Sequence, residues 1–253
     1  KNLKPGDRVT PCIVIGCGNC EMCIEGKEVL CDNLVETGIH VDGAFAEYVR
    51  VPAKVCRKMR DETTYDQGAS VDPIASAYRT VKMSSITSKD VCVVYGPGPI
   101  GLYAVQLIKL RGAKQVICVG TDVDKERLKL AKELGADEVI NASIEDPVER
   151  VREITGGRMA DYVQDCVGVP GVPAAAMNML KKGGTYAVTG LYHSLPEVDL
   201  GKVVRSEIKI YGTICYTRQE FEECLSFVED GRVKVETLIT HQFALEDMEA
   251  AFG

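Results

Sequence analysis

Cys17, Cys20, Cys23 and Cys31 stand in the loop GCGNCEMCIEGKEVLC with the spacing C-x2-C-x2-C-x7-C. Four thiolates on one short loop suit a tetrahedral zinc ion. Protein fills all four positions, so such a site is structural and leaves no room for substrate. Cysteines this close in sequence cannot all pair with one another at good disulfide geometry. A ferredoxin-type cluster would need its fourth cysteine after three residues, followed by proline, whereas here the gap is seven and Asp32 follows.

A second constellation lies at residues 91–122, VCVVYGPGPIGLYAVQLIKLRGAKQVICVGTD. Val91, Val93 and Val94 form a β-branched run suited to a strand buried on both faces. It breaks at Gly96, Gly98 and Gly101, which read G-x-G-x-x-G. In such a motif one glycine serves the tight turn, one lets the backbone approach a pyrophosphate, and one allows close helix packing. The helix that follows turns its N-terminal N–H groups toward the phosphates. Gly96, Gly98, Pro99, Ile100 and Gly101 are therefore candidate pyrophosphate-binding residues. A second apolar run over 116–119 ends at Asp122, about 20 residues past the glycines, where a carboxylate would accept hydrogen bonds from a ribose diol. Its charge would repel a 2′-phosphate, which favours NAD over NADP.

The elements that must position these groups follow from pattern. Residues 1–71 carry short β segments, at 7–15 and 45–51, between glycine and proline turns, as in a small barrel-like unit. Helical text follows at 65–69 and 74–81. From there β and α patterns alternate: strands at 91–95, 116–120, 138–140, 162–165, 185–189 and 208–214, with helices at 99–111, 124–134, 147–154 and 172–180 between them. This is the signature of an α/β, Rossmann-type, doubly wound parallel sheet. Ligands bind outside the carboxyl ends of such strands, which singles out Cys166-Val167-Gly168-Val169 and Gly190-Leu191-Tyr192. A helix over 218–229, a segment over 238–243 and a last helix close the chain.

Composition excludes several partners. The 253 residues carry a formal charge of −7 with no basic block, which disfavours nucleic acid and anionic membrane. No apolar run reaches the roughly 18 residues of a membrane span, and no signal peptide opens the sequence, so a cytoplasmic location is expected. Eleven cysteines are many, but Cys92, Cys118 and Cys166 sit in apolar runs as small hydrophobes, which fits a reducing compartment. The chain starts without Met and stops just after a helical pattern, which suggests part of a longer protein.

The segments PGDRV, the four-cysteine loop, GAFAEYVRVPA, VYGPGPIGLYAVQLIKLRGA, TDVDKERLKLAKELGADEVIN and LITHQFALEDMEAAF together resemble the zinc-dependent medium-chain alcohol dehydrogenases, in their order as well as their content. The likeness is greatest to the sorbitol, polyol and threonine dehydrogenase branch and covers essentially the whole chain. It implies a GroES-like β-barrel catalytic domain, incomplete here, interrupted by the nucleotide domain: 1–72, then 73–216, then 217–253. It implies that Asp122 holds the adenosine ribose, that Arg127 lies on the adenine side, and that Val167, Gly190 and Leu191 lie near the nicotinamide. The implied reaction is oxidation of a secondary alcohol or polyol, a small-molecule substrate, with hydride passing to NAD. A structural zinc and a catalytic zinc belong to the same implication, as does a homodimer or homotetramer joined through the last sheet strand.

Two departures from that pattern matter. Members take catalytic zinc ligands from a Cys and a Gly-His-Glu motif upstream of the segment where this chain begins, and no Gly-His-Glu occurs here. His40, His193 and His241 read as structural or surface residues. Only Asp72, in SVDPIAS, remains as a candidate beside a catalytic metal, and before Pro73 it also suits a helix start. The chain by itself is therefore expected to be inactive or nearly so; the alternative is a non-catalytic NAD-binding module with structural zinc only. The second departure concerns substrate: where polyol dehydrogenases carry Arg-Tyr after the last sheet strand, this chain has Cys215-Tyr216.

Overall fold

The computed structural model describes residues 3–252. The chain divides into two compact units, one formed by Lys1–Ala75 with Cys215–Gly253 and the other by Ser76–Ile214.

The first unit opens with β1 (Val9–Pro11) and β2 (Val14–Ile15), followed by the single-turn α1 (Glu21–Ile24) inside the cysteine loop, then β3 (Val35–Glu36) and β4 (Cys56–Lys58). β1 pairs antiparallel with β4, setting Val9 opposite Lys58, and β2 pairs antiparallel with β3. The stretch 45–51, expected as a strand, is irregular. Phe45 and Tyr48 are exposed there, and a strand forms only where a neighbour takes up its backbone groups. The segment 238–243 follows from a short 3-10 turn, Glu236–Leu238, and is otherwise irregular.

α2 (Tyr65–Met83) is one helix where two were expected, and Pro73 lies inside it. Proline removes one helical hydrogen bond and costs about 3 kcal/mol. Val71, Ile74 and Val81 are fully buried along this helix, each contributing about 1.5–3 kcal/mol, so burial outweighs the break. Asp72 consequently sits in mid-helix and is not the helix-start residue its sequence context suggests.

The second unit is a six-stranded sheet. Its elements in chain order are β5 (Val91–Tyr95), α3 (Pro99–Leu110), β6 (Gln115–Gly120), α4 (Lys125–Glu133), β7 (Glu138–Asn141), α5 (Pro147–Ile154), β8 (Ala160–Asp165), α6 (Val172–Met179), β9 (Leu180–Val188), α7 (Leu200–Ser206) and β10 (Lys209–Gly212). The spatial order is β10-β9-β8-β5-β6-β7, and every pairing is parallel. Counted from β5 as the first strand, this is the 3-2-1-4-5-6 order of the doubly wound fold. The order in which strands are added reverses between β5 and β8, and that switch point is where such sheets bind ligands.

Alternation along the strands supplies both faces. Val91 and Val93 pack with Ile117, Val119, Val163, Val151 and Met177 in one core, on the side of α5 and α6. Cys92, Val94 and Cys118 are also fully or nearly fully buried and alternate with them, while α3 packs on β5 and β6. α7 was not foreseen; its Gly201 and paired valines are poor helix formers, and Asp199 caps it by accepting the Lys202 N–H. β9 starts at Leu180, earlier than expected, because Gly183 at φ +74° and a register shift opposite β8 carry the strand through Lys182-Gly183-Gly184.

The chain then returns to the first unit with α8 (Arg218–Glu229) and α9 (Met248–Phe252). α8 starts in a capping box of Thr217 and Glu220, and its Phe221 packs against Tyr216 with ring centroids 5.4 Å apart.

Candidate functional site

The glycine turn joins β5 to α3, and its three glycines do three different things. Gly96 adopts φ +97°, and a Cβ there would stand 2.3 Å from a Val167 methyl carbon. A Cβ on Gly101 would come within 1.8 Å of the Gly96 carbonyl oxygen, so only glycine lets α3 seat against the turn. Gly98 has ordinary extended torsions and caps α3, and a Cβ there would meet nothing within 4 Å. The protein itself thus asks nothing of Gly98, and the space before the N-terminus of α3 is open. Pro99 and Ile100 open the helix, where the missing N–H of proline is no loss.

Asp122 follows the end of β6 at the start of a 3-10 turn, Asp122–Asp124. Its carboxylate is about half exposed; it accepts from Asn141 Nδ2 at 2.8 Å and lies 3.7 Å from Lys125 Nζ. Free acceptor capacity therefore remains beside the strand end. Arg127, in the first turn of α4, pairs with Asp124 at 3.3 Å. Val167 and the pair Gly190-Leu191 leave β8 and β9 side by side. A Cβ on Gly190 would lie 2.4 Å from Gly168 N, and one on Gly168, at φ +75°, would lie 2.4 Å from the Leu191 carbonyl oxygen. The structure thus gathers the glycine turn, Val167, Gly190 and Leu191 at the carboxyl ends of β5, β8 and β9.

In the first unit, Cys17, Cys20, Cys23 and Cys31 bring their sulfurs within 4.8 Å of one another. Cys17 and Cys23 lie 4.0 Å apart and Cys20 and Cys31 3.7 Å apart. A tetrahedron with zinc–sulfur bonds of about 2.3 Å has edges of about 3.8 Å, so the donor set fits zinc in size and in chemistry. Cys31 Sγ already accepts the N–H groups of Cys17 and Asn33, each at 3.3 Å. N–H groups of Asn19 and Cys20 hold the Cys17 thiol down at about 6. A Gly18 N–H favours the Cys23 thiolate, yet burial and the three neighbouring sulfurs push it up to about 12. Four thiolates repel one another without a cation between them, so loading the site releases protons. Gly16 makes the cluster possible, since a Cβ there would stand 2.7 Å from Cys23 Sγ. From α8, Arg218 Nε donates to the buried Glu28 at 2.7 Å and ties down the segment between Cys23 and Cys31.

Asp72 is partly buried and accepts the Tyr216 hydroxyl. Burial raises its carboxyl above the usual range, the Tyr216 hydrogen bond opposes that, and nearby Glu36 adds to it. Glu36 in turn accepts from Cys215 Sγ at 3.1 Å, so Cys215, at the position of the polyol enzymes' arginine, is a thiol donor to a buried acid. His40 Nδ1 accepts the Glu36 N–H at 3.0 Å, His241 sits against Thr240 and Phe243, and His193 is exposed. None of the three stands in a metal-binding group among the described residues.

Comparison with known proteins places this arrangement. Residues 1–61 match the alcohol dehydrogenase GroES-like domain, and residues 99–230 match the zinc-binding dehydrogenase domain. Sorbitol dehydrogenase of Halalkalibacterium halodurans is 35% identical over 252 residues, covering 98% of this chain and 72% of that protein. The chain belongs to the zinc-dependent alcohol dehydrogenase family. Within it, L-threonine 3-dehydrogenase of Bacillus velezensis is 34% identical, over 99% of this chain and 72% of the relative. L-idonate 5-dehydrogenase of Vitis vinifera is 33% identical, over 100% and 70%. Two solved dehydrogenases superpose with TM-scores of 0.91. One, an alcohol dehydrogenase from E. coli CFT073 in complex with NADH, shares 30% identity over 98% of this chain and 72% of its own. The other, a zinc-binding dehydrogenase from Sinorhizobium meliloti bound to NADP, shares 28% over 99% and 74%. No helix among the described residues is long and apolar enough to cross a membrane.

Sequence reasoning missed several residues that shape this dehydrogenase. Gly16 carries no motif, because its reason is a sulfur that comes close only in the fold. Asp165, the buried end of β8, reads in the sequence as a strand residue; an acid inside an apolar strand, just before Cys166-Val167-Gly168, is the available signal.

Proposed function

We propose that this dehydrogenase takes hydride from a secondary alcohol or polyol to NAD, with one structural zinc held by Cys17, Cys20, Cys23 and Cys31. The observation that carries the cofactor assignment is the glycine turn at the switch point of a 3-2-1-4-5-6 sheet, with Asp122 at the end of the adjacent strand. When bound, the nicotinamide accepts the hydride, and a catalytic zinc, as family membership implies, polarises the alcohol oxygen. This chain's own residues bind and orient. Gly98 and the N-terminus of α3 take the pyrophosphate, Asp122 takes the ribose diol, Arg127 flanks the adenine, and Val167, Gly190 and Leu191 border the nicotinamide.

Asp72 offers one carboxylate toward a catalytic zinc, which ordinarily has three protein ligands. The step at the alcohol oxygen is therefore not assigned to residues of this chain. Assayed alone, the 253-residue chain is expected to show little or no zinc-dependent turnover, and brisk turnover of a secondary alcohol would overturn that expectation.

Cofactor choice is tested by titrating the chain with NADH and NADPH. Tighter binding of NADPH sinks the role of Asp122, whose neighbour Lys125 is the residue that would then explain the preference. Self-association is proposed through β10, an edge strand that among the described residues pairs with β9 alone and leaves Ile210 and Ile214 exposed nearby. Sedimentation as a monomer counts against it. The proposed location is the cytoplasm, in keeping with eleven free cysteines.

A further inference from the structure

Asp165 is the last residue of β8 and is fully buried. One oxygen, Oδ1, accepts the N–H groups of Val167 at 2.8 Å and Gly168 at 3.1 Å. The other, Oδ2, accepts the hydroxyl of Tyr186 at 2.8 Å and that of Tyr192. The two phenols also lie 3.1 Å apart. The Asp165 carbonyl oxygen accepts the N–H groups of Thr189 at 2.9 Å and Gly190 at 3.0 Å. A single residue thus grips the loop leaving β8 and the loop leaving β9 at once.

A buried carboxylate costs several kcal/mol in lost hydration unless hydrogen bonds replace the water. Four donors converge on this one, and a carboxylate is the side chain whose two oxygens act only as acceptors and can take them all. Hydrogen bonds to a charged acceptor are roughly twice as strong as neutral ones. The two loops approach closely through backbone, since a Cβ on Gly168 would stand 2.4 Å from the Leu191 carbonyl oxygen and one on Gly190 2.4 Å from Gly168 N. Tyr192 follows Leu191 and is only partly buried, and its hydroxyl tethers the second loop to Asp165.

We infer that Asp165 is a positioning residue: through Val167, Gly168 and Tyr192 it holds the two nicotinamide-bordering loops at a fixed spacing and so sets affinity for the nicotinamide half of the cofactor. The inference rests on the assignment of Val167, Gly190 and Leu191 given above. A purely architectural role predicts something different, a loss of stability that weakens every ligand alike.

ADP-ribose separates the two, because it carries the pyrophosphate and both riboses but no nicotinamide. Calorimetric titration of the zinc-loaded chain with NADH and with ADP-ribose is expected to show that Asp165→Asn weakens NADH at least about tenfold while changing ADP-ribose less than about twofold. Tyr192→Phe, which leaves the carboxylate and the strands intact, is expected to shift the same ratio by about threefold. An unchanged NADH to ADP-ribose ratio in Tyr192→Phe overturns the inference, even if Asp165→Asn fails to fold. Failure of the underlying assignment looks different: the unaltered chain would bind NADH no better than ADP-ribose, or would bind neither.

Discussion

The two units write their chemistry in different parts of the polypeptide. In the unit of Ser76–Ile214 the candidate site is made of backbone: Gly96, Gly98 and Gly101 at the turn, Gly168 and Gly190 at the strand ends. In the unit that contains the cysteine loop it is made of side chains, four sulfurs whose mutual distances match a zinc tetrahedron. A backbone site depends on what is absent, namely a Cβ, and on a sheet that fixes the turn from below. A side-chain site depends on four atoms being present and on the packing that gathers them, here Gly16 and the Arg218–Glu28 contact. Substitution should therefore damage the two units in opposite ways.

The largest effect is expected at the cysteines. Cys31→Ser removes the sulfur that accepts two backbone N–H groups, and zinc content should fall from about one per chain to well below half. Structural zinc in small folded sites contributes on the order of 10 kcal/mol, so the first unit should lose its cooperative melt, and a strong chelator should do the same to the unaltered chain. NADH binding measured on the same samples is the control: full loss of it together with zinc would break the separation between the units.

Within the glycine turn a pair of substitutions sharpens the comparison. Gly101→Ala drives a methyl into the Gly96 carbonyl oxygen, and overpacking of this kind costs about 1–3 kcal/mol, visible as a lower melting temperature of the second unit without any ligand. Gly98→Ala meets nothing in the protein, so melting should stay within about 0.5 kcal/mol of the original while NADH affinity falls about tenfold or more. Equal affinity for NADH before and after Gly98→Ala would remove the phosphate from this turn. Asp122→Asn is smaller again: it keeps the shape beside Asn141, removes the charge, and should move the NADH to NADPH preference toward NADPH by about tenfold.

How much of this was legible in the sequence differs between the units for the same reason. The parallel sheet could be read because its strands are buried on both faces and appear as unbroken runs such as Val91 to Val94, with glycine punctuation between strand and helix. The four cysteines could be read because their ligand geometry is local. The stretch at 45–51 could not, because alternation in a half-exposed segment announces a strand only if a partner is there to pair with it, and Phe45 and Tyr48 lie exposed. α2 was split in two because Pro73 is a local breaker, while the burial of Val71, Ile74 and Val81 that overrides it is a property of the fold. Gly16 and Asp165 were invisible for a related reason: each answers to groups that meet it only in three dimensions, a sulfur in one case and two phenols in the other.

Acid provides the gentlest test, since one partly buried carboxyl in each unit is displaced in opposite directions. Asp161, in β8, is gripped by Arg158, by Lys181 at 2.6 Å and by the Val91 N–H at 2.8 Å. Its burial would raise it, but these partners win and hold it at about 2, below the usual 3.8. A carboxyl depressed on folding stabilises above its unfolded value, and that contribution is lost as pH falls from about 4 toward 2. Asp72 is raised by burial, so its sign is reversed: the folded first unit favours the protonated form, and stability declines as pH rises past about 4. Asp161→Asn should therefore lower the stability of the second unit at pH 6 by no more than about 2 kcal/mol, with the loss shrinking as pH falls and vanishing only below about pH 2. Asp72→Asn should flatten the decline of the first unit above pH 4. Parallel pH profiles for the two substitutions would show that both acids answer to the same unfolding event, and the division into independently responding units would fail.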